Sequence, residues 1–196
     1  MSLSANLTAP SPEHLAQLDA ARLAIKKIRR AVSVANFDGW TIAAFAAISI
    51  VCSLTSPPGI LLGLGMTYIA WRELSSGAAL RRLDTGALRR LAINQVVLSA
   101  MVTLYFGWSL YSTLAAPGEI SGLIGSNSDS TSNLGGDVEQ LAHTITIWVY
   151  VGLILGSILF QGLTAVYYSS RTKILEDYLA TTPQWIIDYQ RGGGTL

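Results

Sequence analysis

Charge is what this sequence has least of: Asp, Glu, Lys and Arg make up 13% of its 196 residues, against 51% hydrophobic, and the net charge is +1. A soluble domain carries about 25% charged residues. The shortfall excludes a nucleic-acid binder held by a basic surface and a disordered chain, which needs low hydrophobicity and high charge. Cysteine is limited to Cys52, and histidine to His14 and His143. A lone thiol forms no intrachain disulfide, and no pair among these residues has metal-ligand spacing. The glycines at 59, 63 and 65 lie in an apolar run, not at a strand-to-helix turn, so no phosphate-binding loop is present. No cofactor and no metal site are expected.

What charge there is comes in blocks. Gly39–Trp71, Leu91–Gly118 and Gln140–Ser170 contain no Asp, Glu, Lys or Arg. A helix rises about 1.5 Å per residue, so about 20 apolar residues cross a hydrocarbon core of ~30 Å. The second and third runs each suit one crossing. The first is too long for one and is broken at Ser56-Pro57-Pro58-Gly59, where two prolines remove two backbone donors. It reads either as one kinked helix or as a hairpin of two helices.

Basic residues decide between these. Arg22, Lys26, Lys27, Arg29 and Arg30 precede the first run; Arg72, Arg81, Arg82, Arg89 and Arg90 follow it. A single crossing places these blocks on opposite sides, against the positive-inside rule, whereas a hairpin places both in the cytoplasm. Arg171, Lys173 and Arg191 then join them, while the outer loop 117–140 holds only the acids Glu119, Asp129, Asp137 and Glu139. The expectation is an all-α polytopic membrane protein. It is a four-span bundle with spans near 39–56, 59–75, 91–116 and 141–168, an inner linker helix at 76–90, and both termini cytoplasmic. A bacterial inner membrane is the simplest location. The second span is the shortest and must run on through Arg72, Glu73 and Leu74, with a re-entrant hairpin as its alternative. Trp40, Tyr68, Trp71, Tyr167 and Tyr168 suit the inner interface, and Trp108, Tyr111 and Trp148 the outer one.

Outside the spans, Ser11-Pro12-Glu13 has the form of a helix start. The segment 1–38 carries an apolar stripe, Leu18, Ala21, Ile25, Ile28, Val32 and Ala35, with the basic residues off it. That suits a helix lying on an anionic inner leaflet, or one that self-associates or packs within the chain. The segment lacks signal-peptide anatomy, so the first span is expected to be a retained anchor. Ala-Leu-Arg-Arg-Leu occurs twice, at 79–83 and 87–91, with Asp84 or Thr85 placed to cap a new helix. In 171–196, Ile174, Leu175, Tyr178 and Leu179 extend the last span, and Thr182-Pro183 restarts a helix carrying Trp185, Ile186, Ile187 and Tyr189. The outer loop is rich in Gly, Ser, Asn and Asp and reads as flexible.

Chemistry is sparse. No ionisable residue falls near a span midpoint, which counts against an ion-coupled transporter. The polar residues at or within spans are Asn94, Gln95, His143, Thr144, Thr146 and Gln161. The amide of Gln161 calls for an interhelical hydrogen bond, or else marks a pore. Glu73, Asp84, Glu176 and Asp177 lie near the inner interface and read as arginine partners and helix caps. Packing signals are clearer: Gly59-x-x-x-Gly63 and Gly152-x-x-x-Gly156, with a small face of Ser99, Thr103 and Gly107 on the third span. The expected function is that of a non-catalytic membrane protein, an oligomeric or accessory scaffolding subunit. The twelve Lys and Arg from Arg22 to Lys173 act in topology and lipid-headgroup contact. Its partners are the anionic leaflet and itself or another membrane protein, not nucleic acid. A small homo-oligomeric channel is the alternative, and a lipid-acting enzyme a remote second.

Overall fold

A computed structural model describes residues 11–54, 56–115 and 132–192. Among them the chain is helix and short turn, with no strand. Helix α1 is Pro12–Cys52, α2 Pro57–Arg81, α3 Thr85–Ala115, α4 Ser132–Thr181 and α5 Gln184–Arg191. Three segments, Pro12–Cys52, Thr85–Ala115 and His143–Thr181, are long and apolar enough to cross a membrane. The protein is an all-α membrane protein.

Local chemistry sets the ends. Ser11 caps α1 by accepting from the His14 backbone N–H, with Pro12 in the first turn. The diproline that interrupts the first apolar run begins α2, where the missing donors have no helical partner in any case. Asp84 caps α3, its Oδ1 accepting from the Gly86 N–H at 2.9 Å. Between α2 and α3, the Asp84 N–H reaches back to the Ala79 carbonyl at 3.2 Å. This closure requires a left-handed residue, and Leu83 supplies it with φ 59°. Glycine ordinarily takes that place because a side chain there costs about 1–2 kcal/mol. Leu83 is only 1% exposed, and burying a leucine side chain returns roughly 1.5–3 kcal/mol.

The first two helices form an antiparallel hairpin whose close approach rests on glycines. A Cβ at Gly63 would lie 2.5 Å from Ile50 Cγ1, and one at Gly39 would lie 2.9 Å from Leu74. The expected linker helix at 76–90 is not a separate element: α2 continues to Arg81 and α3 begins at Thr85. The loop expected over 117–140 is helical from Ser132, and residues 117–131 lie outside the described residues. Likewise the segment before residue 39 is continuous with the first apolar run, in one helix of 41 residues.

The main core lies at the end carrying the basic residues. It joins Ala21, Ile25, Ile28, Val32 and Ala35 of α1 to Leu80, Leu83, Leu88, Leu91, Leu175, Tyr178, Ile186 and Ile187. The α1 stripe is therefore buried within the chain, which corrects the reading of a helix laid on a leaflet. The cause is length: α1 and α4, at 41 and 50 residues, outreach a bilayer. Their overhangs pair with the ends of α2 and α3. A smaller core of Ile42, Ile69, Ala70 and Leu98 adjoins it in the apolar half.

Candidate functional site

Where the main core meets the apolar half, four helices converge on one polar cluster. Gly39 and Gly77 let α1 and α2 approach closely, a Cβ at Gly77 meeting Asn36 Oδ1 at 3.2 Å. That approach brings Asp38 of α1 beside Glu73 of α2. Glu73 is fully buried, as are Gln95 and Tyr168, while Asn94 is 4% exposed. Asn94 Nδ2 donates to Glu73 Oε2 at 2.6 Å and also to the Ile69 carbonyl at 3.1 Å. Gln95 Nε2 donates to Glu73 Oε1 at 3.1 Å and to Asp38 Oδ2. Tyr168 of α4 donates to Glu73 Oε1 at 3.2 Å.

A buried carboxylate needs donors in place of water. Glu73 has three, each from a neutral side chain. The Gln95 amide bridges the two acids, and its Oε1 is buried with no hydrogen-bond partner among the described residues. The cluster therefore couples α1, α2, α3 and α4 at one level. Among the described residues no Lys or Arg hydrogen-bonds to it.

This corrects the reading of Glu73 as an arginine partner. Asn94 and Gln95, expected as intramembrane polar or pore residues, are buried partners of the acids. Asp38 and Tyr168 were not among the expected site residues; the one sequence signal for them is the adjacent Asn-Gln pair at a span's inner end. Asp84 does pair with an arginine: the Arg90 guanidinium bonds it, and this, with the Gly86 N–H, holds its carboxyl below the usual value. Gln161 finds its partner on its own helix, accepting from Ser157 Oγ at 2.7 Å, which corrects the expected interhelical bond. The interhelical bond in that region is instead between Ser109 Oγ and Tyr150 Oη at 2.9 Å. His143 is half-buried near the far end of α4.

The packing glycines divide sharply. Gly59 and Gly63 are buried against α1, at Ser53 and Ile50. A Cβ at Gly107, Gly152 or Gly156 would meet nothing within 4 Å among the described residues. Between α3 and α4, Ser99, Thr103 and Gln161 line an open groove of about 510 Å³, with Thr103 Oγ1 unpartnered among the described residues. Of the basic residues, Arg22 pairs with Asp19 at 3.8 Å. Arg72 lies 6.0 Å from the Tyr68 ring and Arg171 4.7 Å from the Tyr167 ring. Lys26, Lys27, Arg30, Arg89 and Lys173 are exposed.

Fold and site together define the class: a helical membrane protein whose helices are tied at one level by buried polar contacts. No protein-family model, curated protein or solved structure matches the chain.

Proposed function

We propose that the chain is a non-catalytic membrane subunit that works by assembly, with itself or with another membrane protein. The observation that carries this reading is the state of α4: none of the most apolar 18-residue window in His143–Thr181 is buried. Within that helix the Gly152 and Gly156 surface is vacant, while the equivalent hairpin surface at Gly59 and Gly63 is filled. In lipid, helices associate through close backbone packing and interhelical hydrogen bonds, which small residues permit. The groove at Ser99 and Thr103 is a separate opening, since its α4 lining, Ile158, Gln161 and Gly162, lies on the opposite side of that helix from Gly152 and Gly156.

In this reading there are four crossings, with the basic end and both termini in the cytoplasm of a bacterial inner membrane against an anionic leaflet. The continuity of α2 over 25 residues and its packing along α1 support a full second crossing over a re-entrant loop. Gln161, facing Ser99 and Thr103 in an otherwise apolar groove, is the observation behind the second reading, a homo-oligomeric channel. The test is native mass in lipid nanodiscs. A multiple of 20.9 kDa that falls on Gly152→Leu/Gly156→Leu supports assembly through α4. A wild-type monomer that recruits no partner from native membranes sinks it. Cation flux through a ring, lost in Gln161→Leu, moves the channel ahead.

A further inference from the structure

At the basic end, α1, the α2–α3 turn and α5 enclose a groove of about 660 Å³. This is within the range of small-molecule sites, about 300–1,000 Å³. Its floor is apolar, formed by Ile25, Ile28 and Val32 with Leu80 and Leu83. Around it stand Arg29, Arg81, Arg82 and Arg191, and among the described residues no Asp or Glu lines it. None of these four arginines makes an ion pair among the described residues.

Three separate segments supply the four cations. The left-handed Leu83 buries its own side chain in the floor and so fixes Arg81 and Arg82 at the rim. Gln190 is anchored by donating from Nε2 to Tyr178 Oη at 2.9 Å, which sets Arg191 at the opposite wall. Arg81 and Arg191 sit in the last turns of their helices, where a cation also offsets the dipole. Arg29 lies mid-helix and has no such duty.

We propose that this groove binds a soluble organic phosphate, its phosphates held by the arginines and its apolar part covering the isoleucine and valine floor. Guanidinium forks match phosphate oxygens in pairs, and four unpaired forks suit a group of more than one negative charge. Position separates a soluble ligand from a bilayer lipid. The exposed aromatics Trp40 and Trp71 mark the edge of the apolar surface on α1 and α2. Arg29 and Arg81 lie roughly 15 Å beyond them along the helices. The headgroup layer is only about 5–7 Å deep on each side.

The experiment uses the full chain in nanodiscs of neutral phosphatidylcholine, with pyrophosphate and ADP as probes in equilibrium binding. Expected is saturable, salt-sensitive binding that weakens about tenfold in Arg29→Gln. Arg191→Gln serves as the second variant, and unchanged native mass and melting show that each variant is folded. Absence of binding by both probes overturns the proposal, as does binding at wild-type strength in both variants. Stabilisation by phosphatidylglycerol in the disc, without binding of either soluble probe, overturns it in favour of a lipid headgroup.

Discussion

Leu80, Leu83, Leu88, Leu91 and Leu175 are each 1% exposed or less; further along the same bundle, Leu104, Leu155, Leu159 and Leu163 are 62–74% exposed. The residue type is the same, and Leu88, Leu91 and Leu104 even share α3, as Leu155, Leu159, Leu163 and Leu175 share α4. What differs is the solvent. At the basic end leucine is driven out of water, at about 25 cal/mol per Å² of apolar surface. In the apolar half the surroundings are as apolar as leucine itself, so exposure carries no such penalty and close packing must come from small or polar residues. The polar cluster stands at the boundary of these two regimes.

The sharpest way to break this comparison is Glu73→Ala. It strands the Tyr168 hydroxyl and takes one of the two acceptors from each of the Asn94 and Gln95 amides. With each orphaned buried group costing ~1–3 kcal/mol, a loss of about 4 kcal/mol in denaturant unfolding from micelles is expected. A loss under about 1 kcal/mol would show that the cluster does not hold the helices together. Next, Leu88→Ala removes about 3 kcal/mol from the main core, while Leu159→Ala stays within about 0.5 kcal/mol. Equal effects at the two sites erase the distinction between the two ends.

A finer test is Leu83. Alanine keeps the left-handed strain and loses the buried side chain; glycine loses the side chain but relieves the strain. Leu83→Gly should therefore melt above Leu83→Ala by the equivalent of about 1 kcal/mol, reversing the usual helix-forming order. The smallest effect is at Asp84, which is exposed and screened. Its folded carboxyl titrates below the ordinary value, chiefly through the hydrogen bond from Arg90. Its contribution is thus present above the unfolded pKa of about 3.9 and fades as pH falls through the lower folded value. The gap between wild type and Asp84→Asn, followed by melting from pH 7 to pH 3, should close at the acid end.

Charge-free runs show the apolar helices in the sequence, and the stripe from Leu18 to Ala35 shows which face of α1 is covered. What covers it was not readable, because a stripe of that width suits a leaflet, a second copy or the chain's own helices. The polar cluster was hidden for a different reason. Glu73 follows Arg72, and adjacency suggests a pair. On a helix, however, neighbours i and i+1 point away from each other, and only i+3 and i+4 meet. The real partners stand 21, 22 and 95 residues away, contacts that no local pattern announces. The arginine groove was half legible: the twin Ala-Leu-Arg-Arg-Leu repeats marked Arg81 and Arg82, but Arg29 and Arg191 join them only through folding.

The unbroken length of α4 has a mechanical meaning. Tyr168 ties it to Glu73 part-way along, leaving an outer arm from His143 of roughly 38 Å and an inner arm to Thr181 of roughly 20 Å. Ser109 also holds the outer arm through Tyr150, and Leu175 and Tyr178 bury the inner arm in the main core, so the rod is tied at three heights and a neighbour seated on its outer arm meets a stiff strut. Tyr178 in turn holds Gln190 beside the arginine groove.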